Sequence, residues 1–147
     1  MIAIDTNLLV YAHRESSPFH GKALEVVTEL AESPALWAIP WPCLHEFLAI
    51  VTHPRIFDPP SQLAEAWKFL DALLESPSLL VIGEQSGYTA TLRSLLFSSK
   101  VCGPRVHDAR IAAICLNHAV AVLWTADRDF SRFPELNTRN PLIAGQR

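Results

Sequence analysis

Met1-Ile2-Ala3-Ile4-Asp5-Thr6-Asn7 opens the chain as an apolar run leading straight into an acid. A short apolar run that stops at polar residues reads as a buried strand. Asp5 then stands at the strand's carboxyl end, the edge at which open parallel sheets bind ligands. Outward from this point, helical and strand patterns alternate. Asn7 to His13 reads as a brief helix, and Ser17-Pro18 opens a second that carries Phe19, Ala23, Val26, Val27 and Leu30 at helical spacing. Leu36 to Ile39 reads as the next strand, and Pro42 suits the first turn of a helix reaching about Thr52. The proline-rich run from His53 to Ser61 reads as a rigid loop. Leu63, Trp67, Leu70 and Leu74 mark a helix, Leu79 to Ile82 a strand, and Tyr88, Leu92, Leu95 and Leu96 another helix. After a loop from Ser98 to Pro104 comes a very apolar helix to about Asn117, then a strand from Ala121 to Thr125 and a last edge strand from Pro141 to Ala144. Strands alternating with helices predict an α/β fold with a central, mostly parallel sheet and helices on both faces. No repeat, low-complexity segment or linker interrupts the pattern, so residues 1–147 read as a single domain.

Composition agrees. Of 147 residues, 50% are hydrophobic and 18% charged, which excludes a disordered chain and suffices for a sizeable core. Every long apolar stretch is broken by polar or charged residues before membrane-spanning length. The apolar start contains Asp5 and no basic stretch, so it reads as a strand and not as a secretory signal. Cys43, Cys102 and Cys115 form no C-x-x-C pair, and so sparse and odd a number fits reduced thiols in the cytoplasm. A net charge of −3 argues against a protein that coats nucleic acid by bulk electrostatics. An acidic metal pocket would itself add negative charge, and phosphate contacts would then need local cations. Arg93, Lys100, Arg105, Arg110, Arg128 and Arg132 are available, although most read as solvated surface charge.

Several acids fall where a core should be apolar. Asp127 lies just past the strand ending at Thr125, on the same sheet edge as Asp5, and Asp129 follows two residues later. Both also suit turns or helix caps. Glu46 sits in the helix that begins near Pro42, and its neighbours on the same face are Pro42, Cys43, Ala49 and Ile50. A carboxylate on such a face is costly unless it is paired or bound to a cation. Asp108 opens the helix with the body Ala109-Arg110-Ile111-Ala112-Ala113-Ile114-Cys115-Leu116, which is apolar almost all round and so predicted to be central. A helix N-terminus favours an acid in any case, but an acid entering a buried helix also aims a ligand into a pocket. Gathered carboxylates repel one another, and a hard divalent cation such as magnesium, which takes oxygen ligands and keeps several waters, resolves the conflict. This chemistry points to metal-assisted cleavage of a phosphodiester.

The segments Ile4-Asp5-Thr6-Asn7, His45-Glu46-Phe47, Val106-His107-Asp108-Ala109 with Ile111-Ala112-Ala113, and Thr125-Ala126-Asp127-Arg128-Asp129-Phe130 span nearly the whole chain. In order and spacing they resemble the successive acidic motifs of PIN domains, in particular the VapC-type toxins of type II toxin–antitoxin systems. The resemblance implies a three-layer α/β/α sandwich and a magnesium-dependent endoribonuclease, with manganese as a substitute. It places Asp5, Glu46, Asp108 and Asp127 as the catalytic, metal-holding acids, with Asp129 open as an alternative for the fourth. Thr6 and Thr125 become hydrogen-bond partners for the metal's water shell. His107 stands where family members usually have Asn, a departure that leaves the metal site intact and changes its surroundings. The metal would acidify a water and polarise the scissile phosphate, one carboxylate would accept the proton, and the product would keep a 5′-phosphate. Also implied are an RNA substrate, a homodimer, and a cognate antitoxin that wraps the toxin and sets a basic side chain in the acidic pocket.

Rival readings are weaker. A haloacid-dehalogenase-type phosphatase needs a second Asp two residues after the first, where this chain has Asn7. A zincin needs H-E-x-x-H, but the position four after His45 is Ala49. A non-catalytic PIN-like interaction module predicts missing acids, and the acids are present. Trp37 and Trp41, flanking Pro40, could stack on bases, but core or interface positions suit them better.

Overall fold

Ile2–Ile4 forms β1, the strand about which the rest is arranged. The computed structural model describes residues 1–143. After β1 come α1 (Thr6–His13), α2 (His20–Glu32), β2 (Trp37–Pro40), α3 (Trp41–Val51), α4 (Leu63–Leu74) and β3 (Leu79–Ile82). These are followed by α5 (Tyr88–Ser99), α6 (Arg105–Asn117), β4 (Val122–Trp124), a 3-10 helix (Arg128–Arg132) and β5 (Thr138–Arg139). Among the described residues the strands make one sheet in the order β3-β2-β1-β4-β5, and every pairing is parallel. Ile2 lies opposite Trp37 of β2 on one side and Val122 of β4 on the other. Ala3 and Ile4 are fully buried, as a central strand of a parallel sheet covered on both faces must be.

Strand order decides where the helices go. The chain steps from β1 to β2 to β3 in one direction, then crosses back to β4 and β5 beyond β1. Right-handed crossovers put the connections of the two halves on opposite faces of the sheet. Accordingly α1 packs against α2 and α3, and α3 against α4, while α5 packs against α6. The result is the α/β/α layering, with a crevice outside the carboxyl ends of β1 and β4, where the winding reverses.

Local chemistry sets the element ends. α1 begins at Thr6, one residue before the predicted start, because the extended Asp5 accepts the Thr6 N–H at 2.7 Å; Asp is among the best N-caps. Ser17 and Pro18 form the turn ahead of α2, with the Ser17 hydroxyl accepting the Phe19 N–H at 3.1 Å. In α6, Ala109 and Ile111 through Cys115 are buried, as a central helix requires. One strand is misplaced by sequence pattern. The edge expected from Pro141 to Ala144 is taken instead by Thr138–Arg139, and Ala144 lies outside the described residues. The Leu123 and Thr125 N–H groups donate to the Asn137 and Arg139 carbonyls at 2.9 and 2.8 Å. Pro141 has no N–H with which to continue a ladder, and residues 141–143 turn away. Among the described residues no helix is long and apolar enough to cross a membrane.

Candidate active site

All four predicted acids, Asp5, Glu46, Asp108 and Asp127, line one pocket of about 380 Å³. β1 and the turn after β4 bring Asp5 and Asp127 to the switch-point edge, while α3 and α6 bring Glu46 and Asp108 from opposite faces.

Asp5 is buried and both its oxygens are engaged. Oδ1 accepts the Thr6 N–H at 2.7 Å and lies 3.6 Å from the Cys43 thiol; Oδ2 accepts the Thr125 hydroxyl at 2.7 Å and the Asn7 amide at 3.5 Å. Burial pushes the carboxyl up from its ordinary 3.8 to about 6; the Thr125 and Thr6 hydrogen bonds oppose this, and the Glu46 charge adds to it. The same burial, with Asp5 beside it, pushes the Cys43 thiol well up, so it stays protonated.

Thr6 and Thr125 tie the acids together. Thr6 gives its N–H to Asp5 and its hydroxyl to Glu46 Oε2 at 2.8 Å. Thr125 gives its hydroxyl to Asp5 and accepts the Asp127 N–H at 2.9 Å. Asn7 spans the switch point: its Nδ2 donates to Thr125 Oγ1 at 3.3 Å, and its Oδ1 accepts the Ala126 N–H at 3.2 Å.

The two acids after β4 part company. Asp127 caps the 3-10 helix by accepting the Asp129 N–H at 2.9 Å and also lines the pocket. Asp129 is ion-paired to Arg105 and is absent from the pocket wall. Arg105 also reaches Asp108 Oδ2 at 3.4 Å. The Asp108 carboxyl is still held above its ordinary range: burial contributes most, then the charge of Asp127 and, more weakly, Glu46, with Arg105 opposing. Capping and pocket-lining are thus compatible duties for Asp5 and Asp127.

The donor set suits a hard cation. Every acid on the wall is a carboxylate, and their charges raise one another's affinity for positive charge. Among the described residues, no three Asp, Glu, His or Cys side chains form a ready-made coordination cluster. Asp5, Glu46, Asp108 and Asp127 are the side chains that would hold a divalent cation here.

The PIN domain family model matches residues 2–136. The chain belongs to the PIN domain family. Ribonuclease VapC48 of Mycobacterium tuberculosis is 31% identical over 137 residues, covering 93% of this chain and 94% of that protein. Ribonuclease VapC43 of the same organism is 32% identical over 142 residues, covering 97% and 96%. Two solved structures share the fold. VapBC2 from Rickettsia felis, bound to a promoter DNA fragment, has a TM-score of 0.68 at 23% identity, covering 95% of this chain and 98% of that one. VapC20 of M. tuberculosis, a sarcin–ricin-loop-cleaving toxin, has a TM-score of 0.65 at 16% identity, covering 89% and 93%. The VapC resemblance read from the acidic motifs is borne out by these relatives.

In this PIN domain, some expected contributors lie elsewhere. Trp37 is 0% exposed and so cannot stack on a base, whereas Trp41 is 46% exposed. Arg110 is ion-paired to Glu84, and Arg93, Lys100 and Arg132 sit on the surface. Asn7 and Cys43 are site residues that motif reading missed. Asn7 stands inside the first motif, but nothing in its spacing announces a partner 119 residues away.

Proposed function

We propose that this PIN domain, residues 1–147 acting as one domain, is the toxin of a type II toxin–antitoxin pair. It is a cytoplasmic, magnesium-dependent endoribonuclease in which manganese can substitute. The convergence of Asp5, Glu46, Asp108 and Asp127 on one pocket carries this reading. Relatives named as ribonucleases, matched over nearly their full length, support RNA as the substrate. The likeness to a VapBC complex supports a cognate antitoxin as partner; homodimer formation follows from the family resemblance.

The four acids hold the ion and balance its charge. A divalent cation held there supplies Lewis acidity toward a phosphate oxygen and lowers the pKa of water. Thr125 and the Thr6 N–H hold the Asp5 carboxylate in one orientation, and the Thr6 hydroxyl does the same for Glu46. A carboxylate so oriented accepts a proton from the attacking water. Purified chain should therefore cut RNA in magnesium or manganese and stop in excess chelator; undiminished cutting in chelator by a nuclease-free preparation would overturn the proposal.

The division of labour after β4 has its own test. Asp127→Asn should slow cleavage roughly a hundredfold or more, and Asp129→Asn roughly tenfold, the lower end of what losing a partner behind a metal's ligands costs. Asp129→Asn still disturbs Arg105, which also touches Asp108. Initial rates at saturating magnesium decide it, and the reverse order would exchange the two roles.

A further inference from the structure

We infer, resting on the ribonuclease reading, that the groove beside the acid pocket is a phosphate subsite for the RNA strand, with Arg128 and Arg139 as its cations. The groove has a volume of about 790 Å³, lies between β4, the 3-10 helix and β5, and shares Asp127 with the acid pocket. A strand whose scissile phosphate sits at the acids and which continues past Asp127 enters it directly.

Arg128 and Arg139 are the cationic side chains on the groove wall. A chain of net charge −3 must hold phosphate by local cations. Near the acids, Arg105 is taken up by Asp108 and Asp129, and Arg110 by Glu84. Among the described residues, Arg128 and Arg139 have no carboxylate within ion-pairing distance. The Arg139 Nε is buried without a hydrogen-bond partner among the described residues, an arrangement that native proteins rarely leave uncompensated. Its guanidinium lies 5.7 Å from the centre of the Trp124 ring, within cation–π range. A planar guanidinium on the groove wall matches a phosphate's oxygens. Ser131 and Thr138 add hydroxyls along the same wall, and such hydroxyl and guanidinium contacts position a nucleic-acid backbone without reading its bases.

The test is fluorescence anisotropy of a labelled single-stranded RNA across a salt series in chelator, where the parent does not cut. Arg128→Gln and Arg139→Gln should each weaken binding roughly tenfold, the size expected for losing a charge-assisted hydrogen bond. Each should also lower the salt slope by about 0.7, one phosphate contact on a single strand. Arg139→Lys should keep the slope, and Arg93→Gln, on the exposed face of α5, should match the parent. A parent that binds RNA no tighter than the double Gln variant would overturn the subsite, as would unchanged RNA affinity with weakened antitoxin binding. Arg128 is exposed, so its variant decides the matter even if Arg139→Gln fails to fold. Failure of the ribonuclease reading shows separately, as RNA left uncut by the parent in magnesium.

Discussion

Asp108→Asn and Asp5→Asn are each expected to reduce RNA cleavage by roughly a hundredfold or more, and to abolish toxicity on expression, while the chain stays folded. Losing a partner behind a metal's ligands already costs about 10- to 100-fold, and each of these changes removes a carboxylate charge from the pocket wall. Both keep the side chain's shape. Asn at position 5 can still accept the Thr6 N–H and so still caps α1, since Asn and Asp are equivalent caps. Asn at 108 gives up its charge toward Arg105, but Arg105 retains Asp129. Cleavage rates at saturating magnesium, alongside melts of both variants, check the claim. A folded Asp108→Asn protein cutting at the parent rate would remove Asp108 from the site.

The second large effect is on stability, and its sign depends on pH. In metal-free protein, Asp5 binds its proton more tightly when folded, at about 6, than when unfolded, near 3.8. Between those values the folded state holds the extra proton, so stability falls as pH rises through the window. The full displacement corresponds to about 3 kcal/mol lost by pH 7 and above. Asp5→Asn removes that loss but disturbs the hydrogen bond from Thr125, worth about 1 kcal/mol. In chelator at pH 8 the variant should therefore melt above the parent by an effect of roughly 1–2 kcal/mol. Below about pH 3, where Asp5 is protonated in both states, the advantage should vanish or reverse. Added magnesium should restore the order at pH 8, because it stabilises the parent as RT ln(1 + [L]/Kd) and the variant, with a ligand missing, much less. A variant less stable than the parent in chelator at pH 8, and equally responsive to magnesium, would remove Asp5 from the metal site.

Local pattern was enough for much of this protein. The apolar run Met1 to Ile4 ending in Asp5, and the apolar body of α6 opening at Asp108, identify a buried strand and a central helix through their own periodicity. The alternation of such elements implies a parallel sheet, whose carboxyl edge then receives Asp5 and Asp127. Other features depend on residues distant in the chain. That Glu46 is tied to Asp5 through the hydroxyl and N–H of Thr6 requires Thr6, forty positions away, to meet α3. Asp127 and Asp129 fit the motif equally well, and their different settings depend on Arg105 of another helix, which pairs with Asp129. Trp37 and Trp41 look alike beside Pro40, yet one closes the core and the other faces solvent. The edge strand fell at Thr138–Arg139 because β4 offered its N–H groups there, which propensity at Pro141 to Ala144 could not reveal. Arg139 drew no notice in a short polar stretch, and only the packing of Trp124 against it marks a groove wall. Periodicity and capping act within a few residues and are written in local order, whereas these partnerships arise from the pairing of β1 with β2 and β4 and from the helix packing this imposes, which bring distant segments together.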